Sequence, residues 1–318
     1  MPGLAYGTES KHMAQDLSQK RDDLFKKRLD YGFFSSPVDQ TSIRYCYAAP
    51  QEEASLCVVV LNGRGEFYEK YLDLFQDLSL PEDAGFLSWD HRGQGLSGGD
   101  RAWVSDFHDY GKDAEALIQN FLGDRPYVIV AHSMGGLIAL HSILHGRLKP
   151  QKLFLSAPFL GLPLKPWPPI VAAFLCTFFM RLGLGKWSLS TSTKMPDFDR
   201  NTLTHSLKRY QRMMDFEGRI GEPTFGWVVS AVKALKEVHQ EKMYDALKTV
   251  DVFMAQAGSE KIVDPQMGRR WAEKAKSKHI HLEHCEIEGA YHELLAEDEK
   301  FYQPLVQKIS RWIVRDHS

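Results

Sequence analysis

Little in this chain points to a charged polymer, a bound metal or a membrane span. Its 318 residues carry 39 Lys and Arg against 41 Asp and Glu, a formal charge of −2. Without a positive excess, nucleic acid is not an expected partner. The four cysteines, Cys46, Cys57, Cys176 and Cys285, are scattered without metal-ligand spacing. They are expected to be buried free thiols in a reducing compartment, and no metal is predicted. The first residues, MPGLAYGTESKHMAQ, hold no basic stretch followed by an apolar core, so no signal peptide is read there. No run reaches the ~20 apolar residues of a spanning helix, and a cytoplasmic location is expected. Internal repeats and low-complexity segments are absent. So are phosphate loops and dinucleotide fingerprints: Gly63 and Gly65 lack the further spaced glycine, and no helix pattern directly follows Gly93 and Gly95.

What is present is a full apolar core and an alternating pattern. Hydrophobic residues make up 43% of the chain, which suits one α/β domain with an insertion. Arg28 to Ser35 and Thr41 to Ala48 alternate and predict an opening antiparallel pair. Strand-like runs follow at Leu56 to Leu61, Ala84 to Trp89, Tyr127 to Val130, Leu153 to Ser156, Val250 to Ala255 and His279 to Ile287. Helical spacing is read at Phe67 to Leu78, Asp106 to Leu122, Leu137 to Leu144, Met267 to Lys276 and Phe301 to Val314. This alternation predicts a mostly parallel central sheet flanked by helices. It breaks between Ala157 and about Asp245. There Pro163, Pro166, Pro168 and Pro169 rule out one continuous element, and Ile170 to Met180 is an apolar block. Helical spacing returns at Thr202 to Met214 and Phe225 to Val238. The expected division is a polar arm at 1–27, a core in two parts at 28–157 and 246–318, and an inserted helical cap at 158–245.

The chemistry gathers around Pro126 to Gly136, PYVIVAHSMGG. A buried strand, a sharp turn with Ser133 at its apex and a helix form a nucleophile elbow. The usual G-x-S-x-G spacing begins here with Ala131, the smallest substitute for Gly. A serine hydroxyl needs a base to take its proton, and the base needs an acid to orient it. In α/β-hydrolases the order is Ser, acid, His, with the His in the loop after the last strand. Here that strand runs into Glu288-Gly289-Ala290-Tyr291-His292, so His292 is the base. Two carboxylates compete for the acid. Asp264 precedes Pro265 and a helix, which an N-cap explains. Glu260 lies closer to the strand end and is preferred. Two backbone N–H groups are needed for the oxyanion. Met134, after the nucleophile, offers one. Arg64, between Gly63 and Gly65, offers the other. His108 with Asp113 matches an acyltransferase spacing by chance, and His132 and His141 are read as structural.

Together these residues make the chain resemble the serine α/β-hydrolases of the monoacylglycerol lipase and lysophospholipase group, from about Ser55 to the C-terminus. The stretches that carry the likeness are Asn62-Gly63-Arg64-Gly65-Glu66, Asp90-His91-Arg92-Gly93-Gln94-Gly95-Leu96-Ser97, Ala131-His132-Ser133-Met134-Gly135-Gly136, Glu260-Lys261-Ile262-Val263-Asp264 and Gly289-Ala290-Tyr291-His292. The ungapped acid loop puts the family's catalytic Asp on Glu260. Within the group the chain is more similar to bacterial lysophospholipases, through its Asn-Gly-Arg loop and through Leu207-Lys208-Arg209-Tyr210 and Gly221-Glu222-Pro223-Thr224-Phe225-Gly226-Trp227. Its departures are Ala131 for Gly, Glu260 for Asp and Asn62 for His, the last bearing on substrate choice.

The resemblance implies an α/β-hydrolase fold and hydrolysis of the acyl ester of a single-chain lipid, a lysophospholipid above all, with no cofactor. Monoacylglycerol lipase or general carboxylesterase activity is the rival reading, and a catalytically silent binding protein is the other. The Pro163 to Met180 block is expected to roof the acyl chain or to touch a membrane surface, unless it only packs the cap onto the sheet. The Arg64 guanidinium is expected beside the leaving group, where it suits a phosphate.

Overall fold

The computed structural model describes residues 25–52, 55–162, 169–189 and 197–315. The arm expected at 1–27 and the prolines at 163–168 therefore fall almost wholly outside the described residues.

Eight strands form one sheet: β1 (Leu29–Ser35), β2 (Ser42–Ala48), β3 (Cys57–Leu61), β4 (Gly85–Trp89), β5 (Tyr127–His132), β6 (Lys152–Ser156), β7 (Asp251–Ala257) and β8 (Leu282–Ile287). Their spatial order is β1-β2-β4-β3-β5-β6-β7-β8. The first two strands pair antiparallel, with Leu29 opposite Ala48, and β2 runs antiparallel to β4. All other pairings are parallel. Every residue of β3, β4, β5, β6 and β7 is buried. That is why these strands read as continuous apolar runs rather than alternating ones: parallel strands are covered on both faces.

The α-helices are α1 (Leu72–Asp77), α2 (His108–Leu122), α3 (Met134–Leu144), α4 (Pro169–Phe179), α5 (Leu207–Asp215), α6 (Phe225–Val238), α7 (Glu241–Ala246), α8 (Pro265–Ser277) and α9 (Glu299–Val314). One face of the sheet buries Val59 and Leu61 under Leu117, Leu137 and Trp271 of α2, α3 and α8. The other buries Val58 and Val60 with Leu74 of α1 and Tyr302 and Ile309 of α9. The fold is thus the mostly parallel α/β architecture that the alternation predicts. In β6 the buried Lys152 ammonium donates to the carbonyls of Trp312 at 2.9 Å and Ile313 at 3.0 Å. It thereby caps the carbonyl end of α9.

Several boundaries differ from the expectation for local reasons. The helix read from Phe67 is a single 3₁₀ turn, Tyr68–Tyr71, before α1. The helix read from Thr202 starts at Leu207, where the Ser206 side chain accepts from the Arg209 N–H. The last strand starts at Leu282 and not at His279, because His279 turns the chain with φ of 58°. Helix α7 was not expected at all. Between β6 and β7 the described chain is helical, with α4 to α7 following in turn.

Candidate active site

Ser133 lies 159 residues and Glu260 32 residues before His292 along the chain. They meet because each follows a strand of the parallel set, β5, β7 and β8, and so leaves the sheet at the same edge. At the elbow Ser133 takes φ 48° and ψ −114°. Such backbone costs of the order of 1–3 kcal/mol in a residue other than glycine. It is held by the Ser133 N–H donating to Ser156 O at 3.0 Å and by Ser133 O accepting from the Phe159 N–H at 2.9 Å. Close packing lets the helix leave so sharply. A methyl group on Gly135 would lie 2.0 Å from the Leu61 carbonyl oxygen, and one on Gly136 would lie 2.8 Å from Pro158. Ala131 replaces the usual glycine with no such conflict. Its methyl is fully buried in β5 between Leu61 and Leu155.

His292 Nε2 is 3.0 Å from Ser133 Oγ, and His292 Nδ1 is 2.7 Å from Glu260 Oε2. The second oxygen of Glu260 accepts from the N–H groups of Ile262 at 2.7 Å and Val263 at 3.2 Å. Burial disfavours the charged imidazolium, but the Glu260 carboxylate beside it outweighs this and raises the pKa of His292. Burial would likewise raise the pKa of Glu260. The neighbouring His292 and the two N–H donors lower it instead. Asp264, the competing acid, does not reach the imidazole. Its side chain accepts from the N–H groups of Gln266 and Met267 and caps α8.

In the loop after β3, the Gly63 N–H donates to Glu66 and the Gly65 N–H to Gln94 Oε1 at 2.6 Å. Gly65 has φ of 77°, a conformation that favours glycine. Met134 opens α3, so its N–H has no acceptor within the helix. Asn62 does not face the site. It is fully buried, its amide donating to Trp89 O at 2.9 Å and its carbonyl accepting from Ser88 Oγ at 3.1 Å. It joins the ends of β3 and β4, which leaves it no contact with a substrate.

Ser133 opens onto a cavity of about 590 Å³ lined mainly by apolar groups, among them Phe159, Leu175, Phe179, Trp227 and Val263. Arg64 and Glu222 supply charge at its wall. The Arg64 guanidinium donates to Gly221 O at 2.7 Å and lies 5.2 Å from the centre of the Trp227 ring. Its Nε is buried without a hydrogen-bond partner among the described residues. Burial pushes its pKa down to about 10.

A buried polar group behind the elbow escaped the sequence reading. The Lys70 ammonium bonds both Glu66 and Glu293, and the Tyr71 hydroxyl donates to Glu66. His132 Nε2 lies 3.2 Å from Glu293 Oε2, and its ring centre is 4.9 Å from that of His292. Burial opposes charge on Glu293, but Lys70 and then His132 hold its pKa well below the usual carboxylate range. This group couples the loop carrying Arg64 to the loop carrying His292. Lys70 and Glu293 are 223 residues apart, so no local pattern could have revealed the pair.

A mostly parallel eight-stranded sheet with a serine elbow at the end of β5 defines an α/β-hydrolase. Residues 52–299 match the family described as "Serine aminopeptidase, S33", and the chain belongs to it. The chain is similar to lysophospholipase L2 of Escherichia coli, at 30% identity over 93% of this chain and 90% of that one. It is also similar to monoglyceride lipase of Rattus norvegicus, at 24% identity over 84% and 85%. Among solved structures, a soluble variant of monoglyceride lipase from Saccharomyces cerevisiae, in complex with a substrate analog, superposes with a TM-score of 0.70. It shares 18% identity and is covered over 94% of its length, against 90% of this chain.

Proposed function

We propose that the chain hydrolyses the acyl ester of a single-chain lipid, a lysophospholipid above all. The carrying observation is that Ser133, in hydrogen-bond reach of His292, opens onto a mainly apolar cavity with a buried guanidinium in its wall. Its volume falls within the ~300–1,000 Å³ of small-molecule sites. The similarity to a lysophospholipase over most of both chains favours the same substrate class.

Ser133 Oγ attacks the ester carbonyl as His292 Nε2 takes its proton. Glu260 holds the imidazole in register and stabilises its charged form. The N–H groups of Met134 and Arg64 receive the oxyanion. Arg64 is the loop donor left over once Gly63 and Gly65 have bonded inward. His292 then gives the proton to the departing alcohol. Water, deprotonated by His292, cleaves the acyl-enzyme to the fatty acid and restores Ser133. No cofactor enters this sequence. The acyl chain lies against Phe159, Leu175 and Phe179, and the guanidinium of Arg64 meets the phosphate of the head group.

Helix α4 roofs the cavity with Ala172, Leu175, Cys176 and Phe179. Its other side leaves Phe174 70% and Phe178 50% exposed. That second apolar face supports contact with a lipid surface, where such a substrate resides. Among the described residues no helix is long and apolar enough to cross a membrane.

One observation favours a neutral ester instead. The Glu222 carboxylate shares the cavity wall with Arg64 and would repel a phosphate. Fatty-acid release from a lysophospholipid and from a monoacylglycerol of the same chain separates the two. Ser133→Ala should lose on the order of 10⁶-fold in turnover on either. Arg64→Leu keeps the backbone N–H and should lose about 10- to 100-fold in kcat/KM on the lysophospholipid alone. Equal losses on both substrates would remove the head-group role of Arg64, and a monoacylglycerol cut as well as the lysophospholipid or better would favour the neutral-ester reading. No release from either would leave a binding protein.

A further inference from the structure

Three histidines that carry no part of the proposed reaction converge on one carboxylate. His108 is the first residue of α2. His141 lies in the last turn of α3, and His145 follows four residues later at its end. Residues four apart on a helix share a face. Glu237 lies in the last turn of α6. The three imidazole centres form a nearly equilateral triangle, 4.5 Å from His108 to His141, 4.4 Å from His108 to His145 and 4.6 Å from His141 to His145. Glu237 Oε2 is 2.8 Å from His145 Nε2 and 3.6 Å from His141 Nε2. One ring nitrogen from each histidine and one oxygen of Glu237 all lie within 4.8 Å of one another.

We propose that His108, His141, His145 and Glu237 form a zinc site, a role that neither the sequence reading nor the reaction assigns to them. Three imidazoles and a carboxylate are a donor set that suits a borderline divalent cation with tetrahedral preference. Bonds of ~2.0–2.1 Å place tetrahedral ligand atoms roughly 3.3 Å apart. The Glu237 contacts already bracket that spacing, and side-chain rotation closes the rest. Without a cation, three imidazoles compete for a single carboxylate. With one, the facing nitrogen of each ring finds a partner. The carbonyl end of α3 adds partial negative charge at the same place.

The four protein ligands leave no open position, which makes the site structural rather than catalytic. Its location agrees. His141 is eight residues along α3 from Ser133, roughly 12 Å of helical rise. The consequence is mechanical. Zinc would tie α6, whose first turns wall the substrate cavity through Phe225, Trp227 and Val228, to the two core helices α2 and α3. The metal would therefore fix the segment between β6 and β7 against the core.

The test uses the full chain without a histidine tag, stripped with a chelator and then dialysed against micromolar ZnSO4. One zinc per chain by plasma mass spectrometry is expected, with Tm raised by several degrees. Co²⁺ in place of zinc should give the intense visible bands of a four-coordinate ion. The double variant His108→Ala/His145→Ala should retain no zinc and show no Tm response, while its metal-free ester hydrolysis matches that of the stripped parent. His108→Gln alone, at the partly exposed start of α2, serves if the double variant fails to fold. It should weaken zinc at least about tenfold in a competition titration. Failure of the parent to retain zinc would overturn the proposal. So would equal zinc retention by parent and variants, which would place the ion elsewhere, for instance at His292. Neither result bears on the ester-hydrolase reading, because Ser133 and His292 are unaltered throughout.

Discussion

Glu260 does two jobs with one carboxylate. One oxygen holds His292, and the other is pinned by the N–H groups of Ile262 and Val263. The longer side chain of Glu reaches the imidazole while accepting those two bonds. Glu260→Gln preserves the shape but removes the charge. It should lower kcat by about 10³–10⁴-fold, as loss of an orienting acid does in other triads. Asp264→Ala, by contrast, should cost about 1 kcal/mol in stability through loss of the α8 cap, with kcat unchanged. Steady-state kinetics and thermal melts on both variants test the assignment.

The pH dependence follows from the same contact. In the proposed reaction His292 acts as a base only when neutral, and Glu260 raises its pKa above the ordinary 6.5. The acid limb of kcat/KM should therefore have its midpoint above that value. In Glu260→Gln the charge is gone, so the midpoint should move to lower pH. A limb that does not shift would place the control of His292 elsewhere.

Among the elements, α3 is set by what its first turn cannot tolerate. Gly135→Ala would force the helix away from the end of β3, where 2.0 Å separates the new methyl position from Leu61 O. The expected loss is about 3 kcal/mol, at the upper end of overpacking costs, measured by urea unfolding. The elbow was legible from Ser133, Gly135 and Gly136 because strand, turn and helix are local. The buried strands were legible for the same reason, since their apolar runs carry their own boundaries. The start of β8 was not, because His279 to His281 alternate like a strand, yet the positive φ of His279 ends the preceding turn. Helix α7 has only six residues, too few to show a period. Nor could a local pattern separate Asn62 as a tie between strands from Asn62 as a contact for substrate. That distinction rests on Trp89 and Ser88, more than 25 residues away.

Across the whole molecule, long-range polar contacts join loops that share no sequence neighbourhood. Lys70 is the centre of the buried group formed with Glu66 and Glu293. Lys70→Met would leave two buried carboxylates with their balancing charge removed. Breaking a buried pair in this way costs about 3–5 kcal/mol, and denaturant titration should show it. Because Glu293 adjoins His292, kcat should fall as well, beyond any effect on folded fraction. The histidine triangle was likewise out of reach of the sequence: His108, His141, His145 and Glu237 come from three helices, and His108 and His141 had each an ordinary explanation taken singly.

The backbone at Ser133 has a last consequence, for how such a chain responds to selection. Its φ of 48° is one that glycine adopts freely. Ser133→Gly would discard the hydroxyl and relax the turn, so the variant should melt higher than its parent while hydrolysing nothing. A screen rewarding only heat resistance would thus favour an inert chain at this position. Keeping the serine requires that turnover itself be scored.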